Sequence, residues 1–345
     1  MTAPIPILIT CVGGAMMPSA LRWLKEHGRF PVSIHGCDAA ESPLAASFVD
    51  VFHTIPFGDA PDYGETMLRL VKAHGIKVVV PGSDAEAFAL ANIAGDLAAA
   101  GAAITTSPAP VLATLRDKAV TYAALEQAGV AVPVHRVIDR PGDLADALSD
   151  CGYPARTTVI KPADGRGGRG VAVLIGEDGA PEWMGAGQRE ARLDAAAFAD
   201  CDPAALITGR TMVMPALRAP VYDVDILADN GSVQATVVRR RHNLAGIPWT
   251  GNTICRDERF ESYARDAAAA LGLSGAHDMD LMSDDDGRPA LLEVNPRMSG
   301  SLAASLAAGI PFLDAAIGMR IGIELPVGLP DHDVEVVPYT EAVAR

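Results

Sequence analysis

Leu291-Leu292-Glu293-Val294-Asn295-Pro296-Arg297 is the stretch from which this chain is most usefully read. Glu293 and Asn295 lie two apart behind an apolar run, so in an extended strand both side-chain oxygens project from one face. Pro296 cannot continue a ladder and ends the strand, leaving Arg297 just beyond it. Hard oxygen donors beside a guanidinium suit a magnesium–phosphate complex, in which the ion bridges phosphate oxygens and arginine holds the transferring group. An upstream strand, His277 to Met282, offers Asp280 as a third oxygen ligand. A strand edge that is simply solvated would carry the same residues, so the rest of the chain must arbitrate.

Between these two strands, Asp284-Asp285-Asp286-Gly287 has the wrong spacing for an EF-hand loop and reads as a hairpin turn. Asp257 to Leu271 has a helical period, and Ser301 to Met319 reads as a helical pair broken at Gly309-Ile310-Pro311. Further upstream, Thr211 to Met214, Tyr222 to Leu227 and Gln234 to Arg240 read as strands. Thr157 to Lys161 is another, and it leads into the loop Ala163-Asp164-Gly165-Arg166-Gly167-Gly168-Arg169-Gly170. Positions 165–170 spell G-x-G-x-x-G, but Val171 to Ile175 follows as a strand. A dinucleotide turn needs a helix there, so that reading fails on context. A strand–glycine loop–strand hairpin is instead a flap whose N–H groups can close over phosphates, or an ordinary mobile hairpin.

The first hundred residues alternate strand-like runs (5–10, 32–35, 76–80) with helical ones (16–26, 62–74, 83–100), the last capped by Ser83 with Glu86 in the capping-box position. That alternation predicts βαβ units and a doubly wound parallel sheet ending near Ser107-Pro108. Gly13-Gly14 with Asp38 downstream lacks the dinucleotide fingerprint and is better read as a tight turn or an anion-receiving helix start. Val111 to Gly129 is helical, interrupted at Arg116-Asp117-Lys118, and Val132 to Val137 is extended.

The whole chain is globular in composition: 345 residues, 49% hydrophobic and 21% charged. No apolar run approaches the ~20 residues of a membrane span, and Met1 to Thr10 has no basic leader. A net charge of −15 argues against general nucleic-acid binding. The five cysteines are scattered without a C-x-x-C pair, which argues against zinc, iron–sulfur and disulfide frameworks and for a reducing cytoplasm.

Taken in order, Asp117-Lys118, Lys161-Pro162 with its flap, Met212-Val213-Met214, and Asp280 with Glu293 to Arg297 resemble the ATP-grasp superfamily. The likeness is to the branch of carbamoyl-phosphate-synthase-like and pyrrolysine-biosynthesis-type carboxylate–amine ligases. It covers about residues 80–320. The resemblance implies a mixed α/β and α+β fold: a domain over 1–107, an N-subdomain with the flap over 108–212, and a C-subdomain with the metal site over 213–345. It also implies the site. Lys118 and Lys161 would reach the ATP phosphates, and Arg166, Gly167 and Gly168 would cover them. Backbone groups near Met214 and Ala216 would bond adenine. Asp280, Glu293 and Asn295 would ligate two Mg²⁺, with Mn²⁺ as a substitute, and Arg297 would neutralise the γ-phosphate. The implied activity joins a small carboxylate to an amine through an acylphosphate, releasing ADP and phosphate. Its alternatives are phosphoryl transfer without an amine acceptor, or nucleotide binding alone. A homodimer is compatible with this reading. Pro215 and Val221 stand where the family carries acids, which puts ribose recognition in doubt; Asp223 or Asp225 lies near enough to take over.

Two further readings rest on the residues themselves. Arg239 and Arg241 share a strand face in the densest basic run, Arg239-Arg240-Arg241-His242, and would anchor a substrate carboxylate or the acylphosphate. The alternative is a solvated edge strand. His277 reads as structural, and His35, His53, His74 and His135 receive no role.

Overall fold

A computed structural model of the chain describes residues 3–165, 168–184, 190–243 and 250–339. The sequence expectation for Arg166 and Gly167 lies outside these described residues. Three sheets organise the molecule. The first takes β1 (Ile5–Ile9), β2 (Val32–Asp38), β3 (Val51–Thr54), β4 (Val78–Val80) and β5 (Ala103–Ile104). They lie in the order β3-β2-β1-β4-β5, and every pairing is parallel. Helices α1 (Met17–His27), α2 (Pro43–Ala46), α3 (Tyr63–His74), α4 (Asp84–Asn92) and α5 (Ala94–Ala99) connect them, which is the doubly wound arrangement. The single helix expected over 83–100 is two, broken at Ile93. Its start is as expected: Ser83 accepts from the Glu86 N–H and caps α4.

Helices α6 (Ala109–Leu115) and α7 (Lys118–Gln127) follow, with Asp117 accepting from the N–H groups of Ala119 and Val120 at the break. The second sheet is built from β6 (Arg136–Ile138), β7 (Thr158–Pro162), β8 (Ala172–Leu174), β9 (Ala191–Leu193) and β10 (Thr211–Pro215). Helices α8 (Leu144–Asp150), α9 (Ala195–Ala199) and α10 (Pro203–Leu206) accompany it. Ile138, Leu148, Ile160, Leu174 and Val213 close its own apolar core.

The third sheet takes β11 (Arg218–Asp229), β12 (Ser232–Arg241), β13 (Asn252–Cys255), β14 (Gly275–Ser283), β15 (Pro289–Asn295) and β16 (Val334–Val336). Its order is β15-β14-β11-β12-β13-β16, antiparallel throughout. Helix α11 (Glu258–Leu271) buries Phe260, Ala264, Ala267 and Ala268 against one face, where Val224, Ile226, Val238 and Met279 meet it with α6 and α7. Alternation then sends Asp223, Asp225, Arg239, Asp278 and Asp280 to the other face. Beyond that polar strip the same face turns apolar, and α12 (Leu302–Ala307) and α13 (Phe312–Arg320) pack there. These two helices share one core with Ile7, Ile9, Val78 and Val80 of the first sheet. No helix among the described residues is long and apolar enough to cross a membrane.

Candidate active site

The expected metal and phosphate residues converge where the three sheets meet. The register of β14 against β15 sets Asp280 opposite Glu293 and Asp278 opposite Asn295. Lys118 reaches across from the start of α7, its Nζ 3.1 Å from Glu293 Oε2, and it donates to the Gly165 carbonyl at the root of the glycine loop. Lys161 enters from β7. Its ammonium faces the Leu292 carbonyl at 3.4 Å and the Tyr122 ring at 5.9 Å. Only 8% exposed, Lys161 is pushed down to about 8 by burial first and then by Lys118, with Glu293 opposing. Lys118 thus pairs with Glu293 at the cleft, while Lys161 lies buried behind the same strand and lines neither cavity.

That cleft is a cavity of about 440 Å³ lined by Lys118, Asp164, Gly165, Glu293 and Asn295. A second cavity of about 470 Å³ adjoins it, and both take Gly58, Asp59, Asp84 and Ala85 as wall. The second lies beyond the carboxyl ends of β1, β2, β3 and β4, the place where open α/β sheets bind ligands. It is lined by Cys11, Asp38, Asp59, Glu86, Arg169 and Arg297, among others.

Arg297 stands at the seam. Its Nε lies 3.2 Å from Asp84 Oδ1, and Nη1 donates to the Met298 carbonyl at 3.1 Å and faces Asp278 Oδ2 at 3.5 Å. Nη2 contacts Asn295 Oδ1 at 3.4 Å. Burial disfavours the charge, but Asp84, Asp278 and Asp280 outweigh it and keep the guanidinium protonated.

Three oxygen ligands for a dication were expected, and the surroundings fit one. Glu293 and Asn295 face the cleft, and the donor set is oxygen only, as Mg²⁺ prefers. Behind them lies surplus negative charge. Asp223, Asp278 and Asp280 each bring a carboxylate oxygen within 4.8 Å of the others, and Asp278 Oδ1 is buried without a hydrogen bond. Burial, then Asp223, raises Asp278 to about 7, and burial with Asp278 and Asp223 raises Asp280 well above the usual carboxylate range. A nearby cation would relieve both. Asp280 itself is tied to Arg241 at 2.8 Å and does not line either cavity.

Several expectations are corrected. Arg239 is 0% exposed: its fork grips both oxygens of Asp225 and Nη1 also donates to Ser305 Oγ at 2.7 Å. A guanidinium locked under α12 cannot anchor a substrate. Arg241 is three-quarters buried and spends Nε and Nη2 on Asp223 and Asp280, so it orders the carboxylates rather than meeting a substrate. By the same pairings neither Asp223 nor Asp225 is placed to hold a ribose.

On the base side, β7–β10 pairing runs on past Pro215, so the Ala216 N–H already donates to Thr157 O at 2.9 Å. Trp183 Nε1 donates to the Leu217 carbonyl at 3.0 Å. Met214 is buried with Leu217, Val221 and Met282 in an apolar cluster, and neither Met214 nor Ala216 lines either cavity. Gly168, the described part of the flap expectation, follows Gly165 within the loop.

At the N-terminal turn, Asp38 Oδ2 accepts from the Gly13 N–H at 2.8 Å, which uses the group expected to greet an anion. Two contributors went unread. Asp84 orients Arg297, and Asp278 sits two residues before Asp280 on the same face, a spacing that could have revealed it. Glu86 was read only as a cap, yet it is buried and accepts from Thr10 Oγ1, Ser83 Oγ and Cys11 Sγ. Burial, then Glu86, pushes the Cys11 thiol up to about 12, so it stays protonated and is no nucleophile. His277 is structural as expected: buried between Ser107 Oγ and the Asn295 carbonyl, and lowered to about 4 by burial.

The family described as "ATP-grasp in the biosynthetic pathway with Ter operon" matches residues 208–342. A D-alanine–D-alanine ligase of Pseudomonas putida (strain GB-1) is 25% identical over 311 residues, 84% of this chain and 91% of that enzyme. Among solved structures, the ADP complex of N5-carboxyaminoimidazole ribonucleotide synthetase superposes with a TM-score of 0.68 at 16% identity, over 95% of this chain and 80% of that one. The L-amino acid ligase from Bacillus licheniformis gives 0.61 at 17% identity, over 92% and 75%. Likeness at these identities shows a shared fold.

Proposed function

We propose that this chain, an ATP-grasp superfamily ligase, joins a small amino-acid-like carboxylate to an amine at the seam between its two cavities. The observation that carries the proposal is the division of labour there. One cavity holds Lys118, Glu293 and Asn295, which suit phosphates and a cation; the other holds Arg169 and Arg297 among Asp38, Asp59 and Glu86. Cations and carboxylates on one wall fit a substrate carrying both an acid and an amino group. The D-alanine–D-alanine and L-amino acid ligases among its relatives support the same substrate class.

ATP and Mg²⁺ serve the reaction. When bound, Mg²⁺ would supply positive charge against the charge that develops on the transferring group. Glu293 and Asn295 would hold it, with Asp280 and Asp278 behind them as further carboxylates. Lys118 and Lys161 steady the phosphates from two sides as compact positive charges. Arg297, fixed by Asp84, points from the phosphate side towards the second cavity and stabilises the oxygens of the acylphosphate as it forms. Catalysis of this kind is mostly positioning and charge neutralisation, since phosphorylation already makes the carboxyl oxygen a good leaving group.

ADP release with Mg²⁺–ATP against a panel of amino acids tests this. Release that needs a carboxylate and rises with an amine acceptor is expected. Release indifferent to any amine would overturn the ligase reading in favour of simple phosphoryl transfer. A pH profile tests Lys161 separately. Its depressed proton affinity means that the free enzyme loses the cation as pH rises through about 8. Accordingly kcat/KM for ATP should fall above that pH, and Lys161→Arg should remove that limb of the profile. An unchanged limb in the arginine variant would mean that another group titrates.

A further inference from the structure

Outside the lining of either cavity, His35 on β2, His53 on β3 and His74 at the last turn of α3 come together at one edge of the first sheet. We propose that these three histidines form a binding site for a divalent transition-metal ion of the Zn²⁺ class. Each ring brings one nitrogen within 4.8 Å of the other two. His35 Nδ1 lies 3.1 Å from His53 Nε2, and the ring centroids are 4.7 to 5.4 Å apart. With metal–nitrogen bonds of about 2.0–2.1 Å, tetrahedral ligands stand roughly 3.3 Å from each other. The His35–His53 spacing is already of this size, and only His74 has to swing inward.

The chemistry of the trio agrees. Imidazole is a borderline-soft donor that selects zinc, nickel or copper over magnesium, so the site would not compete for the ion of the ATP cleft. His35 Nδ1 and His53 Nε2 face each other across a shared hydrogen bond, and a metal ion bound there would take the place of the proton between them. His35 is the buried floor and His74 is exposed, which gives a path of entry and leaves an outward fourth position for water. Asp50, with Oδ2 on the Ile34 N–H and Oδ1 on Lys25, is the nearby negative charge that fixes the strand carrying His35.

Three of eight histidines from distant positions have thus been brought to one spot. The ion would cross-link β2, β3 and α3. Strand β2 ends at Asp38, and β3 leads to Phe57, Gly58 and Asp59, all of them wall of the second cavity. Metal occupancy would therefore stiffen one side of the substrate chamber.

Zn²⁺ titrated into chelator-treated, nucleotide-free protein by calorimetry, with Co²⁺ absorption as the spectroscopic check, tests this. A single ion per chain, a tetrahedral Co²⁺ spectrum and a rise in melting temperature are expected. His74→Ala, at an exposed helix end, should weaken binding by at least about 10–100-fold and abolish the thermal rise. His53→Gln should do the same, while Glu293→Gln should leave Zn²⁺ binding intact. Zn²⁺ binding unaffected by His74→Ala and His53→Gln, or lost in Glu293→Gln, would overturn the proposal, as would no binding at all.

Discussion

Glu293→Gln should cut ADP release by roughly 10³-fold or more, because a metal contact of this kind supplies several kcal/mol to the transferring phosphoryl group. The glutamate sits opposite Asp280 at the end of β15, paired with Lys118 and a quarter exposed. Replacement by an amide keeps the volume and removes only charge, so folding stability should move little, as is usual for partly exposed pairs. Single-turnover ATP cleavage and a thermal melt separate the two quantities. Turnover near wild type would remove Glu293 from the metal set, and a large loss of stability would recast it as a structural partner of Lys118.

The second large effect is on the fold and not on the chemistry. Arg239→Ala should destabilise the protein by about 3–5 kcal/mol, since it leaves Asp225 charged, fully buried and without its guanidinium. Asp278, 3.7 Å away, loses one of its two nearby guanidiniums as well, keeping Arg297 at 3.5 Å. Denaturant unfolding measures this directly. Much of the loss should return in Arg239→Met with Asp225→Leu, where neither charge remains to be solvated. Normal stability with a raised KM for the carboxylate substrate would instead restore the substrate-anchor role that the basic run suggested.

The error over Arg239 shows where sequence reading ends. Alternation places Arg239 and Arg241 on one face correctly, and both do share it. What alternation cannot supply is the register between strands. Asp225 and Asp278 lie on β11 and β14, and only the pairing of β11 with β12 on one side and with β14 on the other brings their carboxylates to Arg239. The juxtaposition of Glu293, Asn295 and Arg297 was legible for the converse reason: all three lie within five consecutive residues, and Pro296 marks the end of the strand.

The same contrast runs through the fold. Helix α11 was expected over 257–271 and runs Glu258–Leu271, because its apolar period is local and its Asp257 cap and following Gly272 are adjacent in sequence. Strand β16, in contrast, returns from Val334 to pair with β13, and nothing in three residues announces a partner eighty positions earlier. The glycine loop was recognised by its neighbours, a strand on either side, where its literal pattern would have misled. On the nucleotide side, backbone groups near Met214 and Ala216 were expected to bond adenine, and the Ala216 N–H is already taken. Its use by Thr157 follows from a ladder that runs further than the strand-like residues do.

The core shared by α12, α13, the first sheet and the third has a mechanical corollary. Those layers form an anvil: no joint separates Ile9 and Val80 from Leu306 and Ile317, so the two cannot tilt against each other without tearing apolar contacts. The second sheet encloses its own core, but Met212 and Ala163 also enter the core of the third-sheet layer beside Leu291 and Val294, and the cluster around Met214, Leu217 and Met282 adds a further contact. Lys161 pairs with Met212 in the second sheet's ladder, so the same core that backs Val294 also fixes the strand carrying this lysine.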